Sequence, residues 1–600
     1  MKAMNIIAAS LTLFLASALP LPKPLPQEAS ASEPTLLFPM LRNGDFTIPQ
    51  KEGLVPGGIP WWLQRGKPSK LHKSLGSTWI FTESEAVAHQ PIPGFAPMTD
   101  GIIIRGRVRG LGILHVIDGK GRSAQLEVGE KSEVTSFEWT GADIAAQLGS
   151  APMPRMSIEL TAAPGKSAAW TDIEFLVPLP CPSEEALRAE ILERLHEALD
   201  PWLERGLDNF GPRKTGLVVT YFDAVTGEIL VKQPGAFHPL IDILFDLVAA
   251  EPDPKWVAAV ERFIEDYLEL LIHPDTGLPR KWNAVEDVPL NDRFQYIHLD
   301  LRFLLNVAES GPEKYREKTL AAAERMVESA LATGVLPDGN VAALYRPNDG
   351  ASSNETRPIR RFDAIAQITR LAKMNGDERL LQVARDAVAT MLYTNYWSGT
   401  WRKIDPGLDD NFGHYAARAV VMATAYPDEP LFRRVVDSGW DLFRVIWPQA
   451  MHYGGSMAAD QVRCWKLLLD YRELRPDIQP ELGAILLEAV HSHLRGQQYG
   501  NGAWGDVTYY KYQPAVDLQV GDLPGTPTNL LEGLSFVYGS GLGLEDEQIR
   551  AWFTAVLRSS VTRYKREYGY LSTMGEMDGP NHAGGSLRIG PALVMMLSKL

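Results

Sequence analysis

The 600-residue chain has little cysteine and no excess of basic residues. Its two cysteines, Cys181 and Cys464, lie far apart and cannot form the disulfide framework of a small secreted domain, so we expect two buried thiols. The net charge of −15 argues against a broad nucleic-acid-binding face, which requires a basic surface. No nucleotide-binding loop and no Gly-x-Ser-x-Gly elbow is present. These absences leave a globular protein that binds no nucleic acid.

Long apolar runs are also scarce. The one at the N-terminus, Ile6–Leu19, is shorter than the roughly 20 residues that span a bilayer, and small residues and the proline-rich stretch Pro20–Pro26 follow it. We interpret residues 1–31 as a signal peptide and the start of a proline-rich spacer, with an uncleaved anchor as the alternative. The sequence therefore predicts an exported, periplasmic or extracellular bacterial protein without a transmembrane segment in the mature chain.

Residues 35–178 show almost no helical periodicity and carry short alternating runs separated by turn residues. The runs are Gly101–Val108, Gly112–Asp118, Ser123–Val128, Ser132–Trp139 and Arg155–Thr161. This spacing predicts an all-β sandwich. We interpret the Pro-rich segment Val177–Pro182 as a stiff linker to the region that follows.

Three further segments refine the prediction for this β region. They are Asn43-Gly44-Asp45-Phe46, Ile59-Pro60-Trp61-Trp62 and Ala169–Phe175. Together they resemble the jelly-roll, galactose-binding-like modules that accompany carbohydrate-active enzymes. The resemblance implies a carbohydrate-binding-like module in which Trp61 and Trp62 stack on sugar rings, although both tryptophans are equally suited to the core of the sandwich.

Residues 183–600 alternate between amphipathic, charge-rich helical stretches and more apolar ones. The charge-rich stretches lie near 184–206, 254–272, 312–333, 377–396, 428–447, 476–496 and 545–565, and the apolar ones begin near Gly235, Asp292, Arg360, Asp410, Asp460, Thr528 and Gly585. In the first charge-rich stretch we expect Ser183 to be the N-cap and one face to be buried, formed by Leu187, Ile191, Leu195 and Leu199. In the second, the expected apolar stripe consists of Trp256, Val260, Phe263, Ile264 and Tyr267. Seven such outer–inner hairpins resemble an (α/α)6–7 toroid, the fold of polysaccharide lyases, six-hairpin glycoside hydrolases and some epimerases. The resemblance predicts a multidomain β + α protein with the toroid as its catalytic domain.

The long loops all lead into the N-termini of the apolar helices, so we expect the chemistry on that rim. Three arginines in five positions, Arg357, Arg360 and Arg361, precede Asp363 at one predicted helix start. Cations there oppose the helix dipole, which indicates a functional demand such as a bidentate grip on a carboxylate. A structural ion pair with Asp363 or Glu355 is the alternative.

A second cluster enters the next apolar helix. Asp410, His414 and Arg418 share one face, and Asn411 and Tyr415 share the neighbouring one. Asn, His and Tyr are the groups expected in a metal-independent uronate lyase, in which Asn411, Arg360 and Arg361 would neutralise the carboxylate and His414 and Tyr415 would transfer protons. Helix capping by Asp410 and a core role for His414 are the alternatives.

The remaining candidates are substrate-binding residues on rim segments. They are Lys281, Trp282, Arg293, Asp363, Asp410, Trp504, Tyr509 and His582. As metal ligands we considered His238, His298, His414, His452 and His582, and no HxH, HExxH or Cys/His spacing joins them. We therefore predict no cofactor and no metal site, with a divalent cation such as calcium left open.

Three functions remain open at this point. The first is a polysaccharide lyase that cleaves a uronic-acid-containing polysaccharide by β-elimination, with an acidic polysaccharide or oligosaccharide as its partner. The second is a six-hairpin glycoside hydrolase that uses a pair of Asp or Glu carboxylates. The third is a non-catalytic glycan-binding protein, in which aromatic side chains line a groove without convergent titratable groups.

Overall fold

The computed structural model describes most of the chain between Pro34 and Leu600. The described residues are 34–39, 41, 45–46, 62–66, 70–74, 76–91, 101–118, 120–130, 133–150, 156–219, 234–235, 238–336, 341–353, 358–392, 412–437, 440, 469, 471–481, 527–541, 545–568 and 590–600. None of the helices within these ranges is long and apolar enough to cross a membrane.

The N-terminal region forms two antiparallel sheets that pack against each other. Its strands are β1 Thr35–Pro39, β2 Leu63–Gly66, β3 Lys70–Ser74, β4 Ser77–Glu83, β5 Ala86–Pro91, β6 Ile103–Gly110, β7 Gly112–Ile117, β8 Ser123–Val128, β9 Val134–Thr140, β10 Ser157–Ala162 and β11 Ser167–Pro180. One sheet has the order β3-β4-β11-β6-β9, with β1 added beside β11, and the other has the order β2-β5-β10-β7-β8. Their inner faces share one apolar core.

The five strands predicted from alternation are all present, as β6 to β10. Alternation located them because one face of each strand is buried and the other is solvated. A short helix, α1 Gly141–Leu148, was not predicted. Thr140 caps it in a reciprocal capping box with Asp143, and Gly149 ends it in the left-handed conformation.

Strand β11 corrects the predicted linker. The residues from Val177 to Pro180 continue the strand and pair with β1, in the register Phe38↔Val177 and Thr35↔Pro180. Proline is tolerated here because it needs only a strand position whose N–H is not required for the ladder. The β region therefore runs directly into the helical region, with only Cys181, Pro182 and Ser183 between them.

The helical region begins at Glu184. Among the described residues its helices are α2 Glu184–Arg205, α3 His238–Ala250, α4 Pro254–Asp266, α5 His298–Ser310, α6 Glu313–Gly334, α7 Pro358–Asn375, α8 Glu378–Met391, α9 Phe412–Ala425, α10 Pro527–Val537, α11 Asp546–Tyr568 and α12 Gly590–Leu597. A π-helical turn, Tyr267–Leu271, extends α4, and short strands β12 Val218–Val219, β13 Pro234–Gly235, β14 Lys281–Asn283, β15 Val288–Leu290, β16 Gln295–Tyr296 and β17 Leu344–Tyr345 lie in the loops.

The predicted buried faces of the charge-rich helices are confirmed. On α2 the stripe Leu187, Ile191, Leu195 and Leu199 is completely buried, and Ser183 caps the helix by accepting the N–H of Ala186. On α4 the predicted stripe of Trp256, Val260, Phe263 and Ile264 is buried, and so is its last member, Tyr267, in the π-helical turn that follows. These helices therefore turn one apolar face toward the inner helices.

Successive apolar helices contact one another: α3 contacts α5, α5 contacts α7, and α7 contacts α9. Each of α3, α5 and α7 also contacts the charge-rich helix that follows it, which completes a hairpin. The C-terminal helix α12 packs against α10, against α3 and against α2. Helix α12 is thus the neighbour of α2 and α3, which lie at the other end of the helical region in sequence.

Specific contacts fix this junction between the two ends of the helical region. The guanidinium of Arg558 on α11 pairs with Glu190 on α2 at 2.8 Å, and Arg188 donates to the carbonyl of Leu597 at 3.3 Å. Gly590 begins α12 where a Cβ atom would lie only 2.7 Å from Cδ1 of Ile243 on α3. A larger residue at this position would have to displace the side chain of Ile243, so glycine suits the close contact of α12 with α3.

The β region and the helical region belong to one compact unit, Thr35–Leu600. Phe38 on β1 meets Trp552 on α11 edge-to-face, with ring centroids 4.7 Å apart, and both side chains are buried. Close by, the buried thiol of Cys181 lies 3.5 Å from the carbonyl oxygen of Glu547. The two regions therefore share a continuous core instead of being joined by a spacer.

Candidate active site

Three neighbouring apolar helices bring four polar side chains together near their N-terminal ends. His298 is the first residue of α5, Arg360 and Asp363 lie in the first turns of α7, and Arg418 lies in the second turn of α9. Unpaired N–H groups at helix N-termini make such a position mildly positive. We call these four residues the rim cluster.

Asp363 is the centre of the rim cluster. Its carboxylate is almost buried, and Arg418 donates from Nε to its Oδ1 atom. Nη1 of Arg360, three residues earlier on the same face of α7, lies 3.7 Å from Oδ2. No side chain among the described residues hydrogen-bonds to Oδ2. The buried carboxylate of Asp363 therefore joins α7 to α9 through Oδ1, while its Oδ2 atom can still accept a hydrogen bond.

His298 is held in its neutral form by its surroundings. Its Nε2 atom lies 3.2 Å from Nη1 of Arg360, and since a guanidinium can only donate, Nε2 must carry a lone pair and not a proton. The proton of the ring then belongs to Nδ1, which is buried and has no hydrogen-bond partner among the described residues. Burial, assisted by Arg360 and opposed by Asp363, lowers the pKa of His298 to about 4.

Tyr296 forms the wall of the rim cluster. It belongs to β16, which pairs with β17 across the loop that precedes α7. Its ring meets the imidazole of His298 edge-to-face at 5.5 Å, and the Cζ atom of Arg360 lies 5.8 Å from its centroid. The side chain of Arg360 is 39% exposed, against 5% for His298. Arg360 is therefore the cation that an incoming anion meets first, with the imidazole directly behind it.

The first turn of α5 is anchored from the neighbouring hairpin. The hydroxyl of Tyr267, in the π-helical turn after α4, donates to Asp300 at 2.6 Å. Burial and the neighbouring carboxylate raise the pKa of Tyr267 well above its ordinary value, so the phenol stays protonated and keeps this bond. The contact fixes the helix start that carries His298.

The structure unites two of the predicted residues, Arg360 and Asp363, within the rim cluster. The predicted residue Arg361 is half-buried on the adjacent face of α7. Lys281 and Arg293 are exposed, and no described contact joins them to the rim cluster. Their role in substrate binding stays a prediction.

Trp282 was predicted to bind substrate, and the structure corrects this prediction. Strand alternation turns Lys281 outward and Trp282 inward, where only 3% of the tryptophan is exposed. The guanidinium of Arg213 covers the indole at 5.2 Å. Trp282 is therefore a core residue and does not present its ring to a substrate. The same holds for Trp62, which is 2% exposed and packs on Phe46 at 5.3 Å.

Several predicted residues lie outside the described ranges or lack described side chains. Asp410, Asn411, Trp504, Tyr509, His582 and Trp61 are outside the described residues. His414 and Tyr415 lie in the first turn of α9, where the backbone is described and the side chains are not. The helix places His414 one turn before Arg418.

His298 and the partnership of Arg418 with Asp363 were missed as parts of a site. The second apolar helix was predicted to begin near Asp292 but begins at His298, because β15 and β16 occupy the residues before it. A histidine immediately after a short aromatic strand and at a helix start was the available signal. The Arg418–Asp363 contact joins residues on two helices and left no local signal.

No protein-family model matches the chain, and no curated protein matches it. Among solved structures, an alpha-1,2-mannosidase from Trichoderma reesei is 12% identical with a TM-score of 0.48, and the match covers 69% of this chain and 93% of that one. A cellobiose 2-epimerase from Bacillus thermoamylovorans is 10% identical, with a TM-score of 0.42 and 69% and 100% coverage. A sugar epimerase from a ruminal bacterium is 12% identical, with a TM-score of 0.38 and 68% and 98% coverage. Since these scores are below 0.5, function must be inferred from the chain's own residues.

Proposed function

We propose that this protein is an exported carbohydrate-active enzyme in which an (α/α) toroid carries the active site and a jelly-roll sandwich precedes it. The hairpins of outer and inner helices, together with the packing of α12 on α2 and α3, support the toroid. The convergence of titratable groups in the rim cluster supports catalysis over plain glycan binding. The N-terminal apolar run supports export.

We further propose that the reaction is β-elimination in a uronic-acid-containing polysaccharide. One observation carries this proposal: a neutral, buried imidazole lies 3.2 Å behind a half-exposed guanidinium. Removal of the C5 proton of a uronate requires a base that is unprotonated at physiological pH, which for an imidazole is the neutral form. It also requires a cation that neutralises the adjacent carboxylate. His298 and Arg360 meet these two requirements in one place.

In this mechanism the carboxylate of the uronate binds the guanidinium of Arg360 in a charge-assisted, bidentate pair. The guanidinium then no longer donates to Nε2 of His298, and the lone pair on Nε2 becomes accessible. Nε2 accepts the proton from C5, the C–H electron pair forms the C4–C5 double bond, and the C4–O bond breaks. The leaving oxygen takes a proton from an acid, for which Tyr415 stays the predicted donor. Asn411 and His414 stay predicted members of the same site.

Asp363 and Arg418 act as positioning residues in this mechanism. The ion pair fixes α7 against α9, and Oδ2 of Asp363 lies 3.9 Å from Nε2 of His298. A carboxylate at this distance favours the imidazolium that forms when His298 accepts the proton. It therefore stabilises the state after proton transfer more than the resting neutral state.

A glycoside hydrolase is the second candidate, and Asp363 is the observation that favours it. Its Oδ2 atom is buried without a hydrogen-bond partner among the described residues, as in a carboxyl group that awaits a substrate. Hydrolysis needs a second carboxyl group about 5 Å away, or about 6.5–9.5 Å away, according to stereochemistry. The rim cluster contains one carboxylate, which is already paired with Arg418.

The experiment that tests the proposed function follows the ultraviolet absorbance of an unsaturated uronate and new reducing ends in the same samples. The mature protein and His298→Gln are assayed on polygalacturonate, alginate and hyaluronan, with and without chelator. His196→Gln is the matched control, because His196 is a half-exposed histidine on outer helix α2. Absorbance that rises with wild type and the control but not with His298→Gln supports elimination. Reducing ends without absorbance would transfer the assignment to hydrolysis.

A further inference from the structure

The outer face of the six-stranded sheet carries a row of side chains that the fold does not use. The pairings Lys70↔Phe81, Phe81↔Ala169, Ala169↔Arg109 and Arg109↔Val134 place these five residues in one line across five strands. Residues directly opposite each other in antiparallel strands point to the same face. We call this line the sheet-face row.

The sheet-face row is open to solvent and contains an aromatic ring. Phe81 is 42% exposed and Val134 is 38% exposed, whereas Ala169 between the strands is buried and leaves a shallow floor. His72, on the edge strand β3, meets the ring of Phe81 edge-to-face at 5.9 Å. From β4 to β9 the row extends about 15 Å, at about 5 Å per strand. It is therefore a flat platform as long as a short oligosaccharide.

The two charged side chains of the sheet-face row itself, Lys70 and Arg109, are both cations, whereas the rest of this face also carries the carboxylates of Glu83 and Glu138. Arg105, Arg107 and Arg109 alternate along β6 and so lie on this face. Glu174 pairs with Arg105, and Asp172 pairs with Arg107. No ion pair joins Arg109 or Lys70 to a carboxylate among the described residues. Two cations thus remain for an external anion, on a chain whose net charge is −15.

A cavity of about 480 Å³ adjoins the platform where β4 and β6 end. Its lining includes the polar side chains of Ser84, Lys166 and Ser167, with Glu83 at the same edge. Gly110 belongs to this lining and has a φ of +93°, and a Cβ atom there would lie 2.4 Å from the carbonyl oxygen of Ser167. The volume falls in the range of small-molecule sites. A polysaccharide bound on the platform can therefore place one of its sugar units in this cavity.

We propose that the sheet-face row binds an anionic polysaccharide chain, with the ring of Phe81 stacking on a sugar and Arg109 and Lys70 binding its carboxylates. The cavity beside Gly110 receives one residue of the same chain. The identity of the occupant rests on the proposed function, because the occupant is the substrate class of the rim cluster. The location of the site is independent of that function, since it depends on β3, β4, β6, β9 and β11 alone. The platform would hold the polymer while the rim cluster acts on it.

The test measures binding of the full-length mature protein by affinity electrophoresis in gels that contain polygalacturonate, alginate or hyaluronan. Fully methyl-esterified polygalacturonate serves as the neutral counterpart. The variants are Phe81→Ala and Arg109→Gln. Leu37→Ala is the matched control, because Leu37 is 45% exposed on the same sheet and lies about 30 Å along β11 from the platform.

We expect Phe81→Ala to weaken polymer binding roughly tenfold and Arg109→Gln to weaken binding of the anionic polymer about threefold. Leu37→Ala should bind as wild type does. Equal binding by Phe81→Ala and Leu37→Ala would overturn the platform, as would a wild type that binds no acidic polysaccharide. An equal loss for the neutral polymer in Arg109→Gln would overturn the anionic assignment.

Turnover of a short uronate oligosaccharide separates this proposal from the proposed function. The platform variants should retain wild-type turnover of a substrate too short to reach both sites. Platform-dependent binding by a protein without turnover would leave the platform standing and remove the lyase. If the protein turns over the substrate and Phe81→Ala does not change polymer binding, the lyase would stand and the platform would be overturned.

Discussion

Nη1 of Arg360 lies 3.2 Å from Nε2 of His298, so an arginine occupies the lone pair of a neutral histidine. A cation beside an imidazole disfavours protonation, and burial disfavours it further. The arrangement is unproductive as long as the guanidinium stays in place. It becomes productive when an anion withdraws the guanidinium, which couples carboxylate recognition to the availability of the base.

We expect Arg360→Ala to lower kcat/KM on a uronate polymer by roughly 10²–10³, the usual loss when one stabiliser of a developing anion is removed. Steady-state kinetics on the polymer identified by the absorbance assay would measure this. Arg346→Ala is the matched control, because Arg346 also lies over an aromatic ring, that of Phe294, and pairs with Asp349 outside the rim cluster. A loss below about threefold for Arg360→Ala would contradict the assigned role.

The acid limb of the pH dependence of kcat/KM should lie near 4. The base acts only when it is deprotonated, and burial lowers the pKa of His298 to about 4. Since Arg360 contributes to that lowering, Arg360→Ala should move the limb of the residual activity toward higher pH. A wild-type limb near 6.5, the ordinary pKa of histidine, would show that the base is a different group.

Stability should also depend on His298. The pKa of this histidine is lower in the folded state than in the unfolded chain, so between pH 4 and 6.5 the unfolded state binds more protons and the free energy of unfolding rises with pH. The rise should amount to about 3 kcal/mol across that window and should be missing in His298→Gln. Urea denaturation at several pH values measures the difference. Parallel curves for the two proteins would be inconsistent with a buried neutral imidazole.

We expect Arg418→Gln to destabilise the fold by about 3 kcal/mol, because it leaves the buried carboxylate of Asp363 without its main partner. The cost lies at the lower end of the usual range since Arg360 remains 3.7 Å from Oδ2. Adding Asp363→Asn should restore most of the loss, because the amide carries no charge. A double variant as unstable as Arg418→Gln would show that packing, and not charge, explains the effect.

The junction between sandwich and helices should be cooperative. Trp552→Ala removes a buried ring that meets Phe38 and should cost about 3–5 kcal/mol. We expect one calorimetric transition for wild type and two for the variant, since the shared core would be interrupted. Leu37→Ala, next to Phe38 but exposed, should behave as wild type. Two transitions already present in the wild type would contradict a single cooperative unit.

Local periodicity predicted much of the fold. The stripe Leu187, Ile191, Leu195 and Leu199 was predicted and is buried, because a repeat of 3.6 residues reports one covered helix face without reference to any partner. The alternation in β7 and β8 likewise predicted two strands, because a repeat of two residues reports one covered strand face. The predictions failed where a distant strand decides the structure. The residues from Val177 to Pro180 pair with β1, and Gln295 pairs with Tyr345.

The site was predicted in part. Arg360 and Asp363 were found because arginines at a helix start oppose the dipole and therefore require a reason. His298 was not assigned to the site, since its helix was expected to begin earlier. Trp282 was assigned wrongly because composition does not report which face of a strand a side chain occupies. Contacts between helices, such as Arg418 with Asp363, depend on packing that no single segment encodes.

The packing of α11 and α12 against α2 has a consequence for biosynthesis. During translation α2, which ends at Arg205, emerges long before two of its neighbours, because α11 begins only at Asp546 and α12 only at Gly590. Just after α12, Lys599 donates to the carbonyls of Ser535, Phe536 and Tyr538, which adds to the contacts between α12 and α10. A chain that is released before α11 and α12 are made therefore presents part of the apolar surface of α2 to chaperones and proteases.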